Sequence, residues 1–104
     1  MSLPALTPEQ RTAALHKSIA VRQERRAILE DLKQGRRTLT EVLGDDSKTV
    51  TRTKVRRLLE SLPGVGPIRA AQVMTELAIA DGRRVQGLGD QQRARLEELF
   101  RPAA

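Results

Sequence analysis

Apolar residues recur every three to four positions from residue 7 to about residue 34, which indicates one long amphipathic helix. Thr7 is a favourable N-cap, Pro8 suits the first helical position, and Gln10 completes a capping box. Gly35 supplies a C-terminal stop. The apolar stripe of this helix is narrow and consists of Ala14, Val21, Ile28 and Leu32.

A basic sector lies beside that stripe when residues are placed at about 100° per position. Its cations are Arg11, Arg22, Arg25, Arg26 and Lys33. Leu15, Ile19 and Leu29 are mixed into the same sector. We therefore expect this helix to pack against a core along only part of its length.

Four shorter helices are predicted after Gly35, and no segment of useful length alternates with the two-residue period of a strand. They cover residues 38–44, 51–62, 67 to about 79, and 90 onward, with a polar connection at 45–49 and a loop at 81–89. Their expected buried residues are Val55, Leu58, Leu59 and Leu62, then Ile68, Ala71, Met74 and Ala78 with Leu77 on the flank, and finally Leu96, Leu99 and Phe100. The pattern predicts an all-α fold, with a helical arm at residues 1–35 and a four-helix body at 36–104.

The charge distribution favours a polyanionic partner. Lys and Arg number 19 against 13 Asp and Glu, a net charge of +6. The first fifty residues carry nine basic and seven acidic groups, whereas residues 52–95 carry nine basic and four acidic groups. The excess charge is therefore concentrated in the second half, as expected for a binding face.

Composition narrows the class of partner and the kind of site. The chain has no cysteine, which excludes disulfides and thiolate metal ligands. It has no apolar run near the 18 or so residues of a membrane span and no secretory signal, so we expect a cytoplasmic protein. Phe100 is the single aromatic residue, so base stacking on aromatic platforms is not available. A duplex nucleic acid is the expected partner, with no cofactor, metal or small-molecule substrate.

The segment from residue 62 to residue 100 carries the candidate chemistry. Gly64, Val65 and Gly66 form a turn that opens a helix, and such a turn with the free N–H groups of the helix can hold an anion. Arg69 follows in the first helical turn, where a cation is unfavourable against the helix dipole. An external anion bound there would explain its presence. A second turn contains Arg83 and Arg84, another Gly-x-Gly at residues 87–89, and then Arg93 early in the last helix. Gly-x-Gly alone is as easily a simple turn, and only these surroundings favour a phosphate site.

This arrangement resembles the helix-two-turns-helix motif, and the whole chain resembles the actinobacterial integration host factor family. The matching segments are Leu3-Pro4-x-Leu6-Thr7-x-Glu9-Gln10-Arg11, Leu39-Thr40-x-Val42-Leu43, Leu58-Leu59-Glu60-x-Leu62-Pro63-x-Val65-Gly66, Met74-Thr75-Glu76-Leu77-x-Ile79 and Arg83-Arg84-x-x-Gly87-Leu88-Gly89-Asp90-x-Gln92-Arg93. The resemblance implies a long N-terminal helix on a helix-two-turns-helix body. It also implies a nucleoid-associated protein that binds duplex DNA at the backbone around the minor groove with little sequence preference. We expect the chain to act as a monomer.

The resemblance also implies roles for particular residues. Arg83 and Arg84 would contact phosphates from the second turn, and residues 64–66 would present backbone N–H groups from the first. Gln86 departs from the pattern, because a third basic residue is expected there, and Gly64 and Pro67 stand where basic residues often occur. The affinity is then expected to be lower, or shifted onto the neighbouring cations Arg52, Lys54, Arg56 and Arg57.

Several alternatives remain open at this point. Arg22, Arg25 and Arg26 form either a second DNA contact or a solvated face of the arm. The two-turn motif also resembles that of a small-subunit ribosomal protein, which would make ribosomal RNA the partner, although this chain lacks its long basic tail. DNA-repair enzymes share the motif but use an N-terminal catalytic proline, and His16 has no partner that spacing supplies, so we do not expect an enzyme. A basic amphipathic helix could lie on a membrane, but residues 8–34 lack Trp and Phe.

Overall fold

The computed structural model of the chain describes residues 7–101. The predicted all-α class is confirmed, since this part of the chain contains six α-helices, one short 3-10 helix and one isolated β-bridge. The helices are α1 (Pro8–Lys33), α2 (Leu39–Leu43), α3 (Lys48–Thr51), α4 (Val55–Ser61), α5 (Pro67–Glu76) and α6 (Asp90–Leu99), and the 3-10 helix is Val85–Gly87. Residues 1–6 and 102–104, which belong to the ends of the two predicted units, lie outside the described residues.

The first helix begins and ends where local residues predict. Thr7 accepts a hydrogen bond from the Gln10 backbone N–H at 3.1 Å, and the Gln10 side chain accepts one from the Thr7 backbone N–H at 2.9 Å, which completes the capping box. Gly35 has φ +75, and the N–H of Arg36 donates to the Asp31 carbonyl at 2.8 Å. This is a Schellman C-cap, in which glycine takes the left-handed position without strain.

Only the second half of α1 packs on the body, as the mixed apolar and basic pattern predicted. Residues 8–20 are exposed throughout, whereas Leu32 is fully buried and Ile28 and Leu29 pack against the edge of the core. The Thr49 hydroxyl also donates a hydrogen bond to the Glu24 carboxylate, which ties α1 to α3. The first half of α1 therefore projects from the body, and the second half belongs to it structurally.

One core joins α1 to all the shorter helices. Its buried apolar residues are Leu32, Leu39, Val42, Leu43, Val50, Val55, Leu58, Leu59, Ala70, Val73, Met74, Ile79, Val85 and Leu96. Helix α4 packs on both α1 and α5, and α2 packs on α6. The core thus fixes the two ends of α5, where the two turns lie, relative to α1.

The helix predicted at residues 51–62 is confirmed only from Val55 to Ser61, and the separate helix α3 forms at Lys48–Thr51, so the five predicted helices become six. Ser47, which lies in the predicted polar connection, is the N-cap of α3. Its hydroxyl oxygen accepts a hydrogen bond from the Val50 N–H at 3.3 Å. Between α3 and α4, the Val55 N–H donates to the Arg83 carbonyl, and the Val85 N–H donates to the Thr53 carbonyl, both at 3.0 Å. These backbone groups pair with a distant loop, so the helix cannot continue through them.

The buried face predicted for α5 is correct at Met74 and at the flanking Leu77, which packs against the core, but wrong at the other positions. Ala70, Val73 and Met74 are buried, whereas Ile68 is 77% exposed, Ala71 is half-buried and Ala78 is exposed. On the last helix Leu96 is buried and Phe100 packs against the core, as predicted, but Leu99 is 46% exposed. The reason at α5 is tertiary packing, because the helix lies on α4 with Ala70 and Val73 in the core and Ile68 outside it.

Helix α5 ends with the same cap as α1 but without glycine. Ala78 has φ 55, the Ile79 N–H donates to the Met74 carbonyl at 2.8 Å, and the Ala78 N–H donates to the Thr75 carbonyl at 3.2 Å. This Schellman pattern also ends the helix at Glu76, short of the predicted residue 79. A residue with a Cβ atom in the left-handed region is strained by about 1 to 2 kcal/mol.

Ala78→Gly should therefore raise the free energy of unfolding by about 0.5 to 1 kcal/mol, since the relieved strain exceeds the extra entropy of glycine in the unfolded chain. Urea denaturation measures this change. Ala94→Gly, at an exposed position inside α6, is the matched control and should lower stability by about 1 kcal/mol. A loss of stability in both variants would contradict the strain assigned to Ala78.

Candidate nucleic-acid interface

The first turn leaves backbone N–H groups open at the start of α5. The Val65 N–H donates to the Leu62 carbonyl at 3.1 Å, with Pro63 second in the turn and Gly64 third at φ +74, the arrangement of a type II turn. Gly66 then caps α5 without any side-chain hydrogen bond.

The N–H groups at the start of α5 are accessible to an external acceptor. Pro67 at the first helical position has no N–H, so the next two positions, Ile68 and Arg69, supply the donors. All residues from 66 to 69 are exposed. A phosphate oxygen can accept hydrogen bonds from these N–H groups, and the positive end of the helix dipole favours its negative charge.

The second turn is held against the loop before α4 by an antiparallel bridge between Lys54 and Arg84. Val85, buried among the core residues, anchors the turn beneath this bridge. Because of this pairing, Arg52 and Lys54 lie beside Arg83 and Arg84, although some thirty residues separate the pairs along the chain. The structure thus brings together four exposed cations, two from the predicted second turn and two that were named from the sequence only as neighbouring cations.

Hydrogen bonds to the backbone orient both arginines of the second turn. Arg84 donates from Nη1 to the Arg52 carbonyl, and Arg83 donates from Nη1 to the Gly87 carbonyl at 2.7 Å. A guanidinium carries five N–H donors, so these bonds leave several for an external oxygen. The two side chains are exposed but held in place, which suits recognition of a phosphate.

Gly87 leaves the space that the Arg83 side chain occupies. A Cβ atom at this position would lie 2.9 Å from Cδ and 3.5 Å from Nη1 of Arg83. The 2.9 Å separation from Cδ is too short for a Cβ contact, so the Arg83 side chain would have to move. Gly87 therefore helps to position Arg83, a role that the Gly-x-Gly spacing alone does not reveal.

Three other arginines are engaged in ion pairs within the described residues. Arg56 pairs with Glu60 at 2.8 Å and with Asp81 at 3.9 Å, which sets it apart from its exposed neighbour Arg57. The remaining pairs are Arg37 with Asp45 at 3.1 Å and Arg36 with Asp31 at 2.8 Å. A hydrogen bond from the Ser47 backbone, and then one from Arg37, lowers the pKa of Asp45 below its ordinary value. Arg36 and Arg37, unlike the cations of the two turns, thus serve local structure.

A basic cleft runs between α1 and α4. Its cationic lining consists of Arg22, Arg25, Arg26 and Lys33 from α1 and Arg57 from α4, with Glu30 as the acidic residue among them. Arg25 Nε is buried there with no hydrogen-bond partner. A buried guanidinium N–H without an acceptor is costly, and an anion entering the cleft would satisfy it.

The cleft continues to the first turn, because Lys33 and Arg57 also border the surface next to Pro63, Gly64 and Val65. From the sequence, Arg57 was named only as one of several neighbouring cations, and its position between α1 and the first turn was missed. The sequence contains no pattern that reveals this position, since only the packing of α1 on α4 brings Lys33 and Arg57 together. Of the other predicted residues, Arg69 is exposed on α5 and Arg93 is half-buried on α6.

Two helices joined by two turns define the class of this fold. Residues 32–100 match the family described as the S13-like H2TH domain, where H2TH denotes helix-two-turns-helix. Among residues 7–101, no helix is long and apolar enough to cross a membrane.

The similarity to characterised proteins extends over nearly the whole chain. It is 50% identical to an integration host factor of Streptomyces coelicolor over 96% of this chain and 95% of the relative. It is 49% identical to that of Mycobacterium tuberculosis and 48% identical to that of Mycolicibacterium smegmatis, each over 96% of this chain and 97% of the relative. The chain belongs to the integration host factor family of actinobacteria, which confirms the resemblance found in the sequence.

A solved structure supports the same grouping. It is described as sIHF bound to an 8bp palindromic DNA, and it matches 82% of this chain and 98% of its own with a TM-score of 0.79 and 45% identity. At this identity the likeness includes sequence as well as fold.

Proposed function

We propose that this chain binds double-stranded DNA through the phosphate backbone around the minor groove, as an architectural protein of the nucleoid that bends, bridges or compacts DNA. The proposal rests on the open N–H groups at the start of α5 and the cluster of exposed cations at the second turn, in a chain 45% identical to a structure described as DNA-bound. The proposed contacts are Gly64, Val65, Gly66, Ile68, Arg69, Arg83, Arg84, Arg93, Arg52, Lys54, Arg56 and Arg57.

In the proposed mechanism the two turns hold neighbouring phosphates. The first turn supplies the neutral donors of Ile68 and Arg69, and the second supplies the positioned guanidinium groups of Arg83 and Arg84. Such contacts fix the protein on the duplex without reading bases, so affinity depends on salt more than on sequence. None of these roles requires a catalytic group or cofactor, and we propose a binding protein, not an enzyme, that resides in the cytoplasm with the nucleoid.

A salt titration of binding tests this function directly. If Arg52, Lys54, Arg83 and Arg84 each neutralise a phosphate, log K should fall with log salt with a slope of about −3.6. Single-stranded DNA and duplex RNA serve as competitors for a short DNA duplex. Preference for duplex DNA supports the proposal, preference for structured RNA would instead favour a ribosomal partner, and no binding to any of them would refute it.

We further propose that the cleft between α1 and α4 is a second DNA contact, made by Arg22, Arg25 and Arg26. The projecting half of α1 is continuous with this cleft, so a monomer could hold two duplexes or two parts of a bent one. Replacing the three arginines with glutamine should weaken bridging of two labelled duplexes about tenfold, while single-duplex binding by the turns changes less.

Matched substitutions in the body check whether this effect is local. The control replaces Arg36, Arg95 and Arg101, which lie outside the cleft, with glutamine and removes the same charge. Equal loss of bridging in the two variants would mean that net charge, and not the cleft, governs bridging.

Gly87→Ala should weaken binding to duplex DNA about three- to tenfold, because the added methyl group displaces Arg83 and a misplaced charge–phosphate contact is worth about 1 kcal/mol. Gly82→Ala in the same loop is the control, since nothing lies within 4 Å of its added Cβ atom. Fluorescence anisotropy with a labelled duplex measures both variants. Equal affinities in the two would show that the position of Arg83 does not matter.

A further inference from the structure

Ile68 is an apolar side chain held in the open beside the anion-binding turn. It is 77% exposed, more than Leu15 at 58%, Leu99 at 46% and Ile19 at 40%, the other exposed large hydrophobic residues in the described part of the chain. Together with Pro67, Ala71 and Thr75 it lines a shallow groove along α5. The core gains nothing from this side chain, so its contribution to the fold does not explain it.

The side chain lies close to any phosphate bound at the first turn. Its own backbone N–H is one of the two donors at the start of α5, so a bound oxygen would lie about 3 Å from the Ile68 nitrogen. Each Cα–Cβ bond of a helix tilts toward the N-terminus, which turns the Ile68 side chain toward that same oxygen. The group next to a backbone phosphate is its sugar, and sugars form the walls of the narrow minor groove.

We propose that Ile68 packs against the deoxyribose next to the phosphate held by the first turn and makes the site prefer DNA over RNA. This inference rests on the proposed function. In RNA the minor groove presents 2′-hydroxyl groups, which would face the apolar side chain without a hydrogen-bond partner. Covering a hydroxyl in this way is unfavourable, whereas covering the apolar face of a deoxyribose is favourable.

The consequence separates Ile68 from the surrounding cations. Arg69, Arg83 and Arg84 attract the phosphates of DNA and RNA equally, because the two backbones carry the same charge per nucleotide. Ile68 adds no charge, so its contact leaves the salt dependence unchanged and affects only the ratio of the two affinities. Selection of the sugar and attraction of the backbone are thus carried by different residues of one site.

The test compares Ile68→Val with Ile68→Thr, a pair of nearly the same shape that differs by one hydroxyl group. The full-length variants bind a DNA duplex, the same duplex with ribonucleotides placed at intervals, and the RNA duplex of the same sequence. For Ile68→Thr we expect the preference for DNA to fall about fivefold relative to Ile68→Val, with the salt slope unchanged in both. Ile68→Val should keep most of the wild-type preference.

Three outcomes are distinguishable. Equal ratios of DNA affinity to RNA affinity for the Val and Thr variants would overturn the role of Ile68. The proposed function would still stand in that case, provided that the wild-type protein binds duplex DNA. A wild type without preference for DNA over RNA would overturn the inference as well. A wild type that binds no duplex would refute the proposed function itself. Since Ile68 is exposed, both variants should unfold at the wild-type urea concentration, which excludes misfolding as a cause.

Discussion

Replacing Arg83 and Arg84 together with glutamine should weaken binding to duplex DNA about 100-fold at moderate salt. Each charged hydrogen bond between a guanidinium and a phosphate is worth about 1.5 kcal/mol or more, and tenfold in affinity corresponds to about 1.4 kcal/mol. Two lost phosphate contacts should also make the slope of log K against log salt shallower by about 1.8. Anisotropy titrations at four or five salt concentrations give the affinity and the slope together.

The control for this pair is Arg95→Gln with Arg101→Gln, which removes the same charge from two exposed positions on and after α6. Long-range attraction should fall slightly in this control, with the slope close to that of the wild type. Because Arg84 also donates to the Arg52 carbonyl, urea denaturation of the double variant must show a folded protein. An equal loss of affinity and slope in the control would mean that no specific contact is made by Arg83 and Arg84.

The parts of the fold that sequence predicted well are those fixed by neighbouring residues. The start of α1 depends on Thr7 and Gln10, three positions apart, and its end depends on Gly35 in the left-handed conformation. Such caps are local hydrogen bonds, so the sequence pattern specifies them without any knowledge of packing. The α2 helix follows the same rule, with Thr38 and Glu41 in a capping box.

The parts that sequence missed depend on residues far apart. The break between α3 and α4 arises because Thr53 and Val55 bond to Val85 and Arg83, which no helical periodicity reveals. At α5 the helical periodicity predicted a buried face with Ile68 and Ala71, whereas the packing of α5 on the body buries Ala70 and Val73. Tertiary packing overrode local preference in both places.

The candidate site divides in the same way. Residues 64–66 form one short turn, and Arg83 and Arg84 lie in a second one. Neighbouring residues define each turn, so both could be assigned to phosphate binding from the sequence. Arg57, in contrast, joins the cleft of α1 only because α4 packs there, and Arg56 pairs with Asp81 across a gap of 25 residues. Charge can be counted from a sequence, but which cations remain available depends on the fold.

The position of α1 on the body determines whether the two proposed DNA contacts form one interface. Leu32 is the fully buried residue of α1 and lies one turn past Ile28 and next to Lys33, which borders both the cleft and the first turn. The Glu24–Thr49 hydrogen bond adds a second contact with the body, eight residues nearer the N-terminus of α1. If α1 were free to swing, its arginines would meet DNA independently of the turns.

Leu32→Ala should lower the free energy of unfolding by about 2 to 5 kcal/mol, since a leucine truncated in a core loses its transfer energy and leaves a cavity. The total free energy of unfolding of a small domain is about 5 to 15 kcal/mol, so the expected loss is a large share of its stability. Leu15→Ala makes the same change on the same helix at a position 58% exposed, and it should alter stability by less than about 0.5 kcal/mol. Urea denaturation of the two variants measures the difference.

The same pair of variants shows whether α1 is a docked element or a separate arm. Where Leu32→Ala remains folded at low temperature, hydrogen exchange should become faster in residues 21–33, which the body otherwise protects, and remain unchanged in the projecting residues 8–20. Bridging of two duplexes should then lose its dependence on the cleft, because Arg57 and the arginines of α1 no longer lie side by side. Small and equal effects of the two substitutions would contradict the packing of α1 on the body, and with it the continuity between the cleft and the first turn.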